Sequence, residues 1–323
     1  MVAQAHPART PTEHGPAWLV QAATIARLYL LEGRSKVDIA AELGLSRFKV
    51  ARILDEAREL GLVEVSIRLP PLLDAEASVA LQRHLGIARA LVLAGDAPTA
   101  RVRENLGRVA ADLLDEIVTA HDVLGLSCSR SVTATTQALS RLSPCEVVQL
   151  TGTLAGGSEV GSVESVRRAA QVGGGDAFPM YAPMVLTDPA TARALEGQPG
   201  IGETLARAGA TSVAAVAVGG WAEGLSTVWE AASPEERSSA LDAGAVGEIG
   251  GRLFDAAGAA VESNLDGRVL GVTLATLARI PHVVALASDA GRADAVRAAV
   301  RGGIVDTLVV DHALAVRLID LSG

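Results

Sequence analysis

The side chains of this sequence that can hold a small polar ligand gather just after short apolar runs. Gly125-Leu126-Ser127-Cys128-Ser129-Arg130-Ser131 follows the run Val123–Leu126 and opens a helical segment near Ser131. A serine-rich loop at a helix start offers unpaired backbone N–H groups, hydroxyls and the positive end of the helix dipole. Arg130 adds a fork of donors suited to phosphate or carboxylate. The alternative is a capped helix start with a surface arginine. Gln149, Thr151 and Gly152 end the next run and can supply amide and hydroxyl partners for sugar hydroxyls; an ordinary strand-to-loop transition would look the same. Gly219, followed by Gly220, lets a ligand approach the backbone after Val213–Val218, or marks a plain turn. Asp255 can accept hydrogen bonds from vicinal hydroxyls. Arg292, in Ala287-Ser288-Asp289-Ala290-Gly291-Arg292, can close a phosphate site from the opposite side. Otherwise Asp255 and Arg292 are surface ions of little energetic weight. Gly156-Gly157 and Gly173-Gly174-Gly175 stand in no G-x-G-x-x-G fingerprint after a strand, so no dinucleotide site and no cofactor are expected.

A second chemistry belongs to Ser35–Ile67. Val37, Ile39, Ala40 and Leu43 repeat at helical spacing, and Gly44 supplies a left-handed helix end. Leu45 plugs the turn and Ser46 stands at an N-cap. Val50, Ile53, Leu54 and Ala57 face a core, which leaves Arg47, Phe48, Lys49 and Arg52 on the outer face. Two helices joined by a short turn containing Gly form the helix-turn-helix pattern, whose second helix enters the DNA major groove. Lys36 and Lys49 are the only lysines of the chain. Residues 1–69 carry 9 basic against 8 acidic side chains, about +1, and the remainder 19 against 29, about −10, so the acidic net charge of −9 comes from the second part, and the first can still bind DNA if its positive groups are concentrated on one element. Phosphate contacts are local and screened, so that suffices for DNA. The expected contacts are Lys36, Ser46, Arg47, Phe48, Lys49 and Arg52. Phe48 either meets a thymine methyl or packs against the first helix.

These residues need elements to position them, and 323 residues suggest two domains. Residues 1–16 hold Pro7, Pro11, Gly15 and Pro16 without an apolar core and read as a disordered leader, not a signal peptide. Residues 17–69 form the DNA-binding domain. Trp18–Leu31 is its first helix, with Leu19, Ala22, Ala23, Ala26 and Tyr29–Leu30 buried. Leu62–Leu69 alternates with period two as a half-buried wing strand. Pro70-Pro71 marks the boundary. Within residues 70–323, Asp74–Leu85 reads as a bridging helix that can also pair two subunits. Apolar runs follow at 90–93, 123–126, 147–150, 213–218, 269–274, 283–287 and 308–310. Helical segments at 99–120, 131–142, 163–172, 292–301 and 313–321 separate many of them. Buried strands joined by crossover helices make a parallel, Rossmann-like α/β sheet, whose ligands bind beyond the strands' carboxyl ends. Cys128 and Cys145 make neither a disulfide framework nor a zinc spacing, which fits the cytoplasm, and no run approaches a bilayer span.

The order of segments resembles the SorC/DeoR-type sugar-responsive transcription regulators from about Trp18 onward. The resemblance rests on ARLYLLEGRSKVDIAAELGLSRFKVARILDEARELGLVEVSI, then GEIGGRLFDAAG, DGRVLGVTLATLARIPHVVALA and AVRAAVRGGIVDTLVVDHALAVRLI. It implies a repressor or activator with a winged-type helix-turn-helix and an effector domain related in fold to sugar-phosphate isomerases. It also implies a sugar, often phosphorylated, as effector, and dimers or tetramers. Against the family's G-x-S-W-G-x-T loop, Ser127 and Arg130 match and Ser131 stands for the threonine. Cys128 and Ser129 replace Trp and Gly. Arg292 stands where Lys is common, Ser288-Asp289 replaces Gly-Gly, and Asp306 stands for Asn.

The expectation is a DNA-binding regulator whose affinity for a palindromic operator is controlled by a sugar, sugar phosphate or polyol. The alternatives are a sugar-phosphate isomerase or lactonase with a DNA-binding appendage, or a structural DNA-binding protein whose second domain only oligomerises. An isomerase needs a positioned acid and base. Asp255, His121, His282 and His312 are the candidates, and only His312 follows a strand.

Overall fold

The computed structural model describes residues 14–64, 72–95, 97–154 and 161–321. The chain divides into two compact units, 1–68 and 69–323.

The first unit is a three-helix arrangement. Helix α1 (Pro16–Leu30) begins with Pro16 in the first turn, where a missing N–H costs nothing. His14 stacks on Trp18. Thus residues 14–16, expected in a disordered leader, belong to the helix start; residues 1–13 lie outside the described residues. Helix α2 (Lys36–Glu42) is capped by Ser35, which accepts from Asp38 N–H. Helix α3 (Arg47–Glu59) is capped by Ser46, which accepts from Lys49 N–H. Gly44 between them has φ +64, the left-handed value that the turn requires. Ile25, Leu28, Ile39, Val50, Ile53, Leu54 and Ala57 form the core. The buried stripe of α1 is Ala22, Ile25, Ala26 and Leu28, so Ala23 and Leu30, expected inside, are exposed. Val37 is also outside, 58% exposed, and the buried side chains of α2 are Ile39 and Ala40. In the expected wing, Leu62–Glu64 is not a strand; 65–69 lies outside the described residues.

The second unit is a doubly wound sheet. Its elements run β1 (Leu73–Asp74), α4 (Ala75–Leu85), β2 (Arg89–Leu93), α5 (Thr99–Ile117), β3 (Val123–Leu126), α6 (Arg130–Ala138), β4 (Glu146–Gln149), α7 (Ser162–Gly173) and β5 (Ala177–Phe178). Then come α8 (Pro189–Glu196), α9 (Pro199–Ala208), β6 (Val213–Ala217), β7 (Gly219–Gly220), α10 (Thr227–Ala231), α11 (Pro234–Asp242), β8 (Gly247–Ile249) and β9 (Arg252–Phe254). The chain closes with α12 (Leu274–Leu277), β10 (His282–Ala287), α13 (Ala293–Arg301), β11 (Thr307–Val310) and α14 (His312–Asp320). The sheet order is β1-β2-β11-β10-β6-β3-β4-β5, all parallel except β1.

Alternate strand residues serve opposite faces, as the pleat demands. Val283, Ala285 and Ala287 of β10 join the core beneath α4, α13 and α14. Val284 and Leu286 join the core beneath α5, α6 and α7. Burial on both faces explains why these runs lack polar alternation. From β3 the chain winds outward through β4 and β5; from β6 it winds the other way through β10 and β11. The direction therefore reverses between β3 and β6, and a crevice opens at such a point beyond the strand ends.

One expected strand is absent. Residues 269–274 make only isolated bridges, Val185 with Val269 and Thr151 with Gly271, before entering α12. The buried guanidinium of Arg252 takes their carbonyls instead. It donates to the oxygens of Val269, Gly271 and Val272 at 3.0–3.1 Å, and to Asp266. A side chain here does the work that a neighbouring strand would do. The small antiparallel sheet β7-β8-β9, with Gly219 and Gly220 as its first strand, carried no legible period.

Candidate functional site

The crevice at the winding reversal is a cavity of about 610 Å³, the size of small-ligand sites. Its walls come from the carboxyl ends of β3, β6 and β10, with Asp311 beyond β11 and the start of α5 beyond β2.

Ser127, Ser129, Arg130 and Ser131 line it together. Ser127 is almost fully buried yet faces the cavity, and its N–H is fixed to the carbonyl of Ala215. Ser129 caps α6 by accepting from Val132 N–H. The N–H groups at the start of α6 have no intrahelical acceptor and belong to a cavity-facing helix end. Arg130 is exposed and has no ion-pair partner among the described residues.

Arg292 lines the opposite wall. Its Nε donates to the carbonyl of Leu225 at 3.0 Å and Nη1 donates to that of Ser288. These two bonds hold the guanidinium in place and leave its other N–H groups available. Gly219 also lines the cavity. A Cβ on Gly219 would stand 2.3 Å from Oε1 of Glu248, so this glycine makes room for a carboxylate and not, as expected, for a ligand.

Gln149, Thr151, Gly152 and Asp255 are not among the described lining residues. The Gln149 amide is buried and committed: it donates to the Thr151 carbonyl and Ser162, and accepts from Met180 N–H. Thr151 is buried, with Oγ1 accepting from Cys128 N–H at 3.3 Å, so it braces the loop that carries the serines. Gly152 is a close-approach position, where a Cβ would lie 2.4 Å from the Pro183 carbonyl oxygen. Asp255 folds its own turn by accepting from Ala257 and Ala259 N–H. His312 points its Nδ1 at Asp74, 3.7 Å away, and not into the cavity. Gly156-Gly157 lies outside the described residues.

Sequence reasoning missed Thr99, Arg103, Ser226 and Glu248, all at the cavity. Glu248 is buried; Oε1 accepts from Ser226 Oγ and Oε2 from Gly251 N–H, both at 2.9 Å. Burial pushes its carboxyl above the ordinary range, against those two bonds and the Arg292 charge. A lone carboxylate inside the apolar run Ala245–Ile249 was the available signal. Thr99 and Arg103 follow a strand end, so the rule that flagged the other loops applies to them as well.

The three guanidiniums define the electrostatics. Burial first, then the charge of Arg130, lowers the pKa of Arg103. Burial also lowers that of Arg292, with Arg130 adding to the effect while Asp289, Glu248 and Asp311 oppose it. Arginine stays charged in proteins, so the repulsion persists until an anion relieves it. Asp289 and Asp311 lie at the β10–β11 end, where the Asp311 carboxylate accepts from Asp289 N–H at 3.2 Å. The cavity is therefore cationic toward α5 and α6 and mixed toward β10 and β11, where Asp289 and Asp311 stand around Arg292.

On the first unit, Arg47, Phe48, Lys49 and Arg52 are all exposed on the outer face of α3, opposite Val50, Ile53, Leu54 and Ala57. Arg52 lies 3.5 Å from Glu56 of the next turn, whereas neither Arg47 nor Lys49 has an ion-pair partner among the described residues. Ser46 is spent on its cap. Lys36 sits over the ring of Tyr29, 5.3 Å from its centroid.

The family model described as "Putative sugar-binding domain" matches residues 70–320. The chain is 29% identical over 309 residues to the transcriptional regulator LsrR of Escherichia coli K12, covering 93% of this chain and 95% of that protein. It is 28% identical over 298 residues to the transcriptional regulator YjhU of the same organism, covering 89% and 90%. Among solved structures, the full-length sorbitol operon regulator SorC from Klebsiella pneumoniae superposes with a TM-score of 0.71 at 22% identity, over 93% of this chain and 98% of that one. A DeoR family transcriptional regulator from Listeria monocytogenes gives 0.68 at 23% identity, over 75% and 98%. The chain belongs to the family described as a putative sugar-binding domain, and its helix-turn-helix unit and strand-end cavity share the fold of the SorC regulator.

Proposed function

We propose that a sugar, sugar phosphate or polyol entering the strand-end cavity controls the grip of α3 on a palindromic operator. Ser127, Ser131 and the open start of α6 bind its oxygens, Arg103 and Arg130 hold an anionic group, and Arg292 closes the far wall. On the DNA side, Arg47, Lys49 and Arg52 meet phosphates and base edges. Lys36 adds a weaker contact, and Ser46 orients the helix. The observation that carries this reading is the convergence of three arginines, serine hydroxyls and a free helix start on one cavity, in a chain whose exposed cations Arg47 and Lys49, without ion-pair partners among the described residues, belong to the other unit. An operator with two half-sites requires two copies of the helix, so the working form is a homodimer or homotetramer. No helix among the described residues is long and apolar enough to cross a membrane. The cytoplasm, where the genome lies, is the proposed compartment.

An isomerase or lactonase reading is disfavoured by the lining. Among its described residues there is no histidine or lysine, the buried acid Glu248 has both oxygens engaged, and Asp289 and Asp311 are spent on backbone N–H groups of their own loop and helix start. The family fold is no argument for turnover. Thermal-shift screening of the purified protein against sugars, polyols and their phosphates, with and without operator, tests the proposal. A ligand at 100 times its dissociation constant adds about 2.7 kcal/mol of stability. A panel without any shift contradicts the effector reading, and conversion of a panel member favours the enzyme.

A further inference from the structure

The chain has three phenylalanines. Phe254 is fully buried, and Phe178 is half-buried beneath the Arg207 guanidinium, 3.9 Å from its ring centroid. Phe48 is 86% exposed. The half-buried side chains around the first unit's core are Trp18, Tyr29, Leu43, Leu45 and Val63, and Phe48 is not among them. Its ring therefore contributes nothing to the packing of α1 against α3. It lies in the first turn of α3, between the exposed cations Arg47 and Lys49 and just past the Ser46 cap.

We infer that Phe48 is a specificity-determining residue of the DNA interface, reading the C5-methyl of a thymine in the major groove. The inference rests on the proposed operator binding by α3. Residues of the first turn of a recognition helix are those that reach base edges. Two flanking cations fit the phosphates bordering a groove. Within the major groove the apolar feature offered to a side chain is the thymine methyl; the other edge groups are hydrogen-bond donors and acceptors that a phenyl ring cannot serve. An arginine or lysine reads guanine or phosphate. A phenylalanine between them adds a preference for an A·T pair at a fixed position, with no gain in nonspecific attraction.

The test uses the full-length protein and a duplex it selects from a random-sequence library at low salt. The selected sites should share a thymine that the Phe48→Ala protein no longer demands, while the other positions persist. Replacing that thymine by uracil removes only the methyl. The wild type should lose about fourfold in affinity, the worth of one buried methyl-sized group. Phe48→Leu should keep the penalty and Phe48→Ala should show none. An equal uracil penalty in wild type and Phe48→Ala, or none in the wild type, overturns the assignment of Phe48 while leaving operator binding intact. A wild-type protein that selects no sequence at all overturns both.

Discussion

Glu248 links the acid–base behaviour of the cavity to the stability of the fold. Its carboxyl is pushed up by burial, so the folded state holds a proton that the unfolded chain has already released. Stability therefore falls as pH rises from the ordinary carboxylate range through the raised pKa of Glu248. Glu248→Gln keeps the shape and removes the titration. Chemical denaturation of both proteins should show the variant gaining on the wild type across that window; a pH-independent difference would refute the assignment. Arg130 has a separate role. It is exposed and unpaired among the described residues, so Arg130→Ala should leave the melting temperature of the free protein nearly unchanged and reduce the ligand-induced shift at least tenfold in ligand concentration, read by a thermal-shift titration. The two residues also show what a sequence reveals. Arg130 was visible because serines and a helix start surround it. Glu248 was not, because its meaning depends on Gly219 and Ser226, which only the folded β7–β8 connection brings to it, and on the tight β8–β9 turn that presents Gly251 N–H.

Helices with long periodic runs were readable and elements held by a single side chain were not. The caps Ser35 and Ser46, the turn at Gly44 and the core positions of α3 follow from local chemistry that needs no tertiary partner. The stripe of α1 was misassigned at Ala23 and Leu30 because an alanine-rich helix carries little contrast between faces. Residues 269–274 look like a strand by composition, yet Arg252 satisfies their carbonyls from the side. Arg252→Ala removes that donor and leaves several buried carbonyls unpaired, a loss of about 3–5 kcal/mol measured by denaturant unfolding. A cost below about 1 kcal/mol would mean that water replaces the guanidinium at no penalty. For α3, the double variant Arg47→Ala, Arg52→Ala should lose operator binding in an anisotropy assay while its ligand-induced thermal shift persists, because both side chains are exposed and neither supports the core. Undiminished operator affinity would remove α3 from the interface.

At the scale of the molecule, the strand-end rule points to the edge of the sheet where the cavity lies, because it follows from winding and not from particular side chains. It could not tell which strand ends would matter. The β4 end, with Gln149 and Gly152, is used for support, whereas the β2 and β11 ends contribute Arg103 and Asp311. A physical route leads away from the cavity on the β11 side. Asp311 lines it and caps α14, and His312, the next residue, faces Asp74, which caps α4. Helix α4 is the first helix after the segment joining the units in sequence. His312→Ala should therefore weaken the operator response to effector while leaving the effector's thermal shift in place; equal losses in both would make His312 a binding residue instead.

In the proposed regulation one ligand, held by the arginines and serines at the strand ends, resets the DNA affinity of the other unit. Such coupling requires the ligand to bind the two states of the protein with different affinity, typically by about 5–150-fold. The direct measurement is the operator dissociation constant of the full-length protein, with and without a saturating concentration of the panel compound that gives the largest thermal shift, in wild type and Arg130→Ala. A change within that range for the wild type, reduced to less than about twofold in the variant at the same concentration, is the predicted result. An operator dissociation constant that the bound ligand leaves unchanged, or a variant that responds as the wild type does, would contradict the account.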